Sequence, residues 1–291
     1  MDPIRVTVSR GPVIEAVHRV HAVAVQDGRI VESAGDPGVV TFYRSSSKPI
    51  QALPLARERE DVTDVELAIA CASHRAAPEQ VEAAASLLAK APATEEDLEC
   101  GLQEGREQRQ LAHNCSGKHA GFLAVCHARE WPAKGYRFDD HPMQQLLHRE
   151  VADAAELSPD EVPAAVDGCG VLTFALTLER MAYSFSRLAT LQGGDKIAAA
   201  MAAHPGLIGY EQGATDTDLM RLRPGWIAKG GAEGLICAAS PDGIGVALKA
   251  EDGAMRGLRP ALACFLGLGD EFGTAPVKNM HGERVGEITA G

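Results

Sequence analysis

Ser45 and Lys48 stand three residues apart in the stretch Tyr43-Arg44-Ser45-Ser46-Ser47-Lys48-Pro49-Ile50-Gln51. On a helical turn that spacing sets a hydroxyl and an amine on one face. Pro49 lacks an N–H and is tolerated only in a first turn, so the stretch predicts a helix starting close to Ser45. A serine there has free backbone amides around it and the positive end of the helix dipole beneath it. A neutral lysine beside it takes the hydroxyl proton, and the amides hold an oxyanion: the chemistry of acyl transfer through a covalent intermediate. The spacing alone also describes a capping serine beside a solvated lysine.

Four further polar clusters sit where apolar segments meet turns. Ser73-His74 ends the apolar run Glu66–Ala72, just ahead of a helix with Pro78 near its start and Val81, Ala84, Ala85 and Leu88 on one face. A capping hydroxyl is the alternative reading of Ser73. His113-Asn114-Cys115-Ser116-Gly117-Lys118-His119 opens an apolar helix running through Phe122, Leu123, Val125 and Cys126. Asp167-Gly168-Cys169-Gly170 precedes residues 174, 178, 181, 185 and 188, all apolar in alternating 4,3 spacing, which predicts one helix bearing all five. Lys229 stands before Gly230-Gly231, a pair that lets a ligand or another backbone approach closely.

The elements that must position these groups alternate in kind. Residues 13–31 read as a β-hairpin turning at Gln26-Asp27-Gly28, and residues 39–43 lead into the serine helix, which bends at Pro54. Residues 91–112 read as an acidic, loop-rich connection. Helices are predicted over 195–204, briefly after Asp216-Thr217-Asp218, and over 255–266. Residues 226–239 and 244–249, joined by Ser240-Pro241-Asp242-Gly243, read as strands. The order is hairpin, helical middle, hairpin, helix. It predicts one antiparallel sheet (residues 1–45 and 225–291) flanked by helices, with an inserted, mainly helical lobe (residues 46–224), in a single domain. Ser45, Ser73 and Lys229 would then face a cleft between sheet and lobe.

A net charge of −12 argues against nucleic-acid and anionic-membrane partners, which need a basic surface. No apolar run approaches the ~20 residues of a membrane span. The opening Met1-Asp2-Pro3-Ile4 lacks the apolar core of a signal peptide, and seven cysteines without a CxxC pair suit a reducing compartment, so a cytoplasmic location is expected.

Taken together, Arg44-Ser45-x-x-Lys48-Pro49, Cys71-Ala72-Ser73-His74, Asn114-Cys115-Ser116-Gly117-Lys118-His119, Asp167-Gly168-Cys169 and Glu251-Asp252-Gly253 resemble the asparaginase II family, the Rhizobium-type (class 3) L-asparaginases. The resemblance runs from Val20-His21-Ala22 to Gly286-Glu287-Ile288. It implies an α/β (α+β) fold of the serine β-lactamase and glutaminase-like kind, and hydrolysis of L-asparagine to L-aspartate and ammonia by a homodimer. It implies Ser45 as nucleophile paired with Lys48, and Ser73 with Lys229 as a second pair; Lys249 is the alternative to Lys229. It further implies a Zn2+ ion on Cys115, Lys118 and Cys169 with water as fourth ligand, and Asp167, His74 and Lys118 beside the substrate.

The implied chemistry is coherent. A carboxamide is a poor electrophile, and an acyl-enzyme splits its hydrolysis into two easier steps. Lysine acts as a base only when neutral, and two ammonium groups in one cleft lower each other's pKa. A three-ligand zinc with water is also the pattern of catalytic zinc, so metal-assisted hydrolysis stands beside serine catalysis. Two other classes fit the motifs: an acyl-transfer enzyme acting on a different amide, and a zinc-holding relative without amidase activity.

Overall fold

The computed structural model describes residues 1–210 and 213–291. Strand β1 (Ile4–Arg10) pairs antiparallel with the long β2 (Val13–Gln26), which turns into β3 (Arg29–Ala34). The turn residues Asp27 and Gly28 both have positive φ, 50° and 74°, as a two-residue hairpin loop matched to strand twist requires. β4 (Val40–Phe42) leads through a 3-10 turn at Arg44–Ser47 into α1 (Lys48–Gln51), with Pro49 in the first turn. Pro54 likewise sits in the first turn of α2 (Leu53–Glu58), so the expected bend is a break between two short helices at Ala52.

A capping box starts α3 (Asp64–Ala70): the Glu66 N–H donates to Thr63 Oγ1 at 3.3 Å and the Thr63 N–H to the Glu66 carboxylate at 2.8 Å. α4 (Pro78–Ala89), α5 (Ser116–Ala128) and α6 (Pro142–Ala154) follow. Gly117 lies where α5 crosses α3, and a Cβ there would stand 2.3 Å from the Ile69 carbonyl oxygen. Alanine is the better helix former, yet Gly117→Ala forces the two helices apart. Urea denaturation at unchanged m-value should show a net loss of roughly 1–3 kcal/mol.

β5 (Ala164–Val166) and β6 (Leu172–Thr177) join β4 in a small sheet of order β4-β6-β5. This corrects the predicted five-residue helical stripe. Phe174 belongs to β6, and α7 (Leu178–Arg187) begins only after Thr177, whose Oγ1 accepts the Arg180 N–H at 3.2 Å. Leu178, Met181 and Phe185 are the buried side of α7, and Leu188 opens a 3-10 turn beyond it. α8 (Gly194–Ala203), the single turn α9 (Pro205–Ile208) and α10 (Thr215–Leu222) complete the middle of the chain.

Three strands return, β7 (Ile227–Gly231), β8 (Leu235–Ala239) and β9 (Gly245–Ala250), then α11 (Leu258–Leu266), α12 (Asp270–Gly273), β10 (Ala275–Lys278) and β11 (Arg284–Ala290). Among the described residues they close one antiparallel sheet of order β10-β11-β1-β2-β9-β8-β7, with β3 also on β2. The fold is therefore α/β: an antiparallel sheet built from both ends of the described chain, flanked by helices, with the helical middle between its halves. α7 crosses the sheet at Gly245, where a Cβ would stand 1.9 Å from the Ala182 carbonyl oxygen. Among the described residues no helix is long and apolar enough to cross a membrane.

Candidate active site

Ser45 sits at a corner. The small sheet holds the chain up to that corner: the Tyr43 N–H donates to the Phe174 carbonyl at 2.7 Å and the Arg44 N–H to Thr173 Oγ1 at 3.1 Å. Arg44 itself has φ of 48°, a left-handed conformation rare for a side chain of this size and found where surrounding contacts enforce it. The three serines that follow have different fates. Ser46 is buried and donates to the Lys229 carbonyl at 2.8 Å; Ser47 is buried, donates to the Arg44 carbonyl at 2.7 Å and accepts from Gln51. Ser45 alone is half-buried, its Oγ has no hydrogen-bond partner among the described residues, and it lines a cleft of about 770 Å3.

Ser73 and Lys229 line the same cleft. Lys48 is buried, and its Nζ reaches Ser73 Oγ at 3.1 Å, the Ala72 carbonyl, and the Asn114 carbonyl at 3.5 Å. Lys48 thus bonds the serine of the other expected pair, because the two carbonyls draw its ammonium toward Ser73 and away from its i−3 neighbour. Lys229 is buried on β7, at the edge of the main sheet. Its Nζ donates to the Gly230 carbonyl at 2.7 Å and lies 3.5 Å from Asp216 Oδ2. Burial lowers the Lys229 pKa to about 8; the Asp216 carboxylate opposes this and the Lys48 charge adds to it. Gly231 brings β7 against the serine turn, where a Cβ would meet Ser46 Oγ at 2.9 Å and the Tyr43 carbonyl at 3.2 Å. Lys249 lies outside the cleft lining, with its Nζ on the Ala250 carbonyl at 2.5 Å.

Sequence reasoning treated Asp216 as a helix cap only. Its buried carboxylate accepts the Gly230 N–H at 3.0 Å and the Thr217 N–H at 2.9 Å besides pairing with Lys229. Nothing in Asp216-Thr217-Asp218 signals that partnership, which only the approach of α10 to β7 creates.

Behind the serine corner, Cys115, Lys118 and Cys169 converge, all buried, with Lys118 Nζ 3.1 Å from Cys169 Sγ. A hydrogen bond from Cys115 and the Lys118 charge bring the Cys169 pKa down to about 5 against the pull of burial. Burial alone would discharge Lys118, yet Cys169, Cys115 and Asp167 hold it as an ammonium well above its ordinary range. Asp167 is likewise pushed up by burial and pulled further down by Lys118, the Gly168 amide and Arg44, whose Nε donates to Oδ1 at 2.7 Å. Asp167 therefore steadies Arg44, the residue before Ser45.

His74 is fully engaged. Its Nδ1 accepts the Ala76 N–H at 3.1 Å, so Nε2 carries the proton and donates to Ser116 Oγ at 2.8 Å, which itself donates to the Leu111 carbonyl. Burial holds its pKa down near 3, so the ring stays neutral. Of Asp167, His74 and Lys118, none lines the cleft. His74 ties the loop after Ser73 to Ser116 at the start of α5.

A cleft with an unbonded serine, a second serine held by one buried lysine and a second buried lysine of lowered pKa is equipped for hydrolytic acyl transfer. The L-asparaginase II family profile matches residues 6–290, and the chain belongs to that family. No curated protein sequence matches it. Similar solved structures include a β-lactamase from Mycobacterium bovis, at 11% identity and a TM-score of 0.47 over 87% of this chain and 93% of that one. A β-lactamase from Desulfarculus baarsii is similar at 16% identity and a TM-score of 0.37 over 81% of this chain and 85% of that one. These likenesses are too remote to bear on the chemistry.

Proposed function

We propose that the protein is an L-asparagine amidohydrolase that works through an acyl-enzyme on Ser45. The observation that carries this reading is the contrast among three adjacent serines: two are bonded into the protein, and the third is left free in a cleft that holds Ser73 and Lys229. Neutral Lys229 takes the Ser45 proton as Oγ attacks the amide carbon. The ammonium of Lys48, through Ser73, gives a proton to the departing nitrogen. The C–N bond breaks, ammonia leaves, and water then hydrolyses the ester to L-aspartate. The test is ammonia release from L-asparagine with L-glutamine in parallel. Release from neither, by folded protein, rules the reading out. The two amides differ by one methylene, worth about 1–3 kcal/mol in a pocket, so a selectivity of roughly 10–200-fold for asparagine is expected.

Zinc belongs to the same proposal. Among the described residues no group of three or more His, Cys, Asp or Glu side chains is placed to hold a metal. The converging set here contains a lysine: two sulfurs, one already favoured as thiolate, and an amine 3.1 Å from the Cys169 sulfur. Zinc accepts sulfur and nitrogen donors of this kind, provided that Lys118 gives up its proton. The ion would supply a fixed positive centre beside Asp167, whose carboxylate steadies Arg44. Metal analysis after dialysis against zinc should find about one ion per chain, and near none in Cys169→Ser; equal loading of both proteins removes Cys169 from the ligand set.

A further inference from the structure

The protein carries a net charge of −12, yet the charged side chains lining its cleft are arginines and Lys229 against a single carboxylate, Asp216. Asp216 is committed to Lys229, Arg259 to Asp218, and Arg256 donates to His18 Nε2 at 2.8 Å. Two arginines are left over. The Arg75 guanidinium lies 4.2 Å from the centroid of the Tyr210 ring and has no carboxylate within ion-pair distance among the described residues. Arg106 donates through Nη1 to the His74 carbonyl at 2.9 Å and the Ala112 carbonyl at 3.3 Å, which fixes the guanidinium plane. Its Nε and Nη2 have no protein partner among the described residues. The two cations act on each other: burial and the Arg75 charge both lower the Arg106 pKa.

Like charges held together without a counter-ion are destabilising until an anion arrives, and a fixed guanidinium fork suits a carboxylate. The location matters as much as the charge. Arg75 lies two residues beyond Ser73, and both arginines line the cleft that Ser45 opens into. At about 770 Å3 that cleft is in the range that accommodates drug-sized ligands, well beyond a single amino-acid amide.

We propose that Arg75 and Arg106 form an anion subsite in this cleft, and that the cleft takes carboxamides bearing a second acidic group, such as an asparagine N-acylated by a dicarboxylic acid. The proposal extends the amidohydrolase reading above. N-acetyl-L-asparagine and N-succinyl-L-asparagine differ by a –CH2–COO− extension of the acyl group and separate the two claims. Wild type should favour the succinyl amide in kcat/KM by roughly tenfold or more, mainly through KM, with the preference shrinking as salt rises. In Arg75→Ala/Arg106→Ala the ratio should fall to about one. Arg75→Gln, which removes an exposed charge with no hydrogen bond from its guanidinium among the described residues, should reduce the ratio severalfold and guards against misfolding of the double variant. A wild-type ratio near one, or a preference that survives in the double variant, overturns the subsite. If neither amide is hydrolysed, calorimetric titration with N-succinyl-L-asparagine decides. Binding lost in Arg75→Gln upholds the subsite while the Ser45 chemistry falls, and binding equal in both proteins overturns it.

Discussion

Replacing Ser45 by alanine is expected to cut ammonia release from L-asparagine by at least ~10³-fold while leaving the unfolding midpoint nearly unchanged. The rate effect follows because no other hydroxyl in the trio is free to attack. The stability effect is small because Ser45 Oγ makes no hydrogen bond among the described residues. The neighbouring positions provide the contrast. Ser46→Ala removes a buried hydrogen bond to the Lys229 carbonyl, which should lower stability by about 0.5–1.5 kcal/mol while keeping much of the activity. Thermal unfolding and steady-state ammonia assays on the same preparations separate the two patterns. Wild-type rates in Ser45→Ala would disprove the nucleophile assignment. Survival of activity that depends on added zinc would move the chemistry to the Cys115–Lys118–Cys169 site.

The second large effect is carried by Lys229. Lys229→Met should lower kcat/KM by roughly 10²–10⁴-fold, the span of a positioned general base. In wild type the amine is charged below its pKa of about 8 and neutral above it, so kcat/KM should rise with pH through that value and then level off. The neighbours set the sign of the shift in variants. Asp216 stabilises the ammonium and raises the Lys229 pKa, so Asp216→Asn should move the rising limb to lower pH. Lys48 destabilises the ammonium, so the residual activity of Lys48→Met should show the limb at higher pH. Because the two amines interact, the observed values belong to the pair. A profile that falls as pH rises, or a limb unmoved in Asp216→Asn, contradicts Lys229 as the base.

Much of this arrangement was legible in the residues. Pro49 marked the first turn of the serine helix, Asp27-Gly28 the hairpin, and Gly230-Gly231 a close approach, because each is a local constraint on backbone torsion or bulk. The helix beginning at Leu178 was misread as longer, since a buried strand followed by an amphipathic helix keeps apolar side chains at spacings that mimic a single stripe. The strands β1, β10 and β11 gave little signal: they form an outer part of the sheet with polar residues on one side, and only their pairing defines them. The site divided along similar lines. Ser45 and Lys48 were visible by spacing, and the convergence of Cys115, Lys118 and Cys169 came only by resemblance. Asp216, Arg75 and Arg106 matter through neighbours far away in the chain, which no local pattern encodes.

The pairing of β1 with β11, in which Thr7 stands opposite Thr289, has a consequence for how the protein comes into being. During synthesis the first hairpin emerges early, but β2 must wait for β9 and β1 for β11, so two flanks stay open while more than two hundred residues are made. Nonlocal pairing of this kind folds slowly, on the order of milliseconds to seconds or longer, and its waiting strands are sites for association with other chains. Ser45 and Lys229 come from opposite sides of that interval. The nascent chain therefore gains the cleft that Ser45 and Lys229 line only late, and yield at high expression should improve when translation is slowed or the temperature lowered.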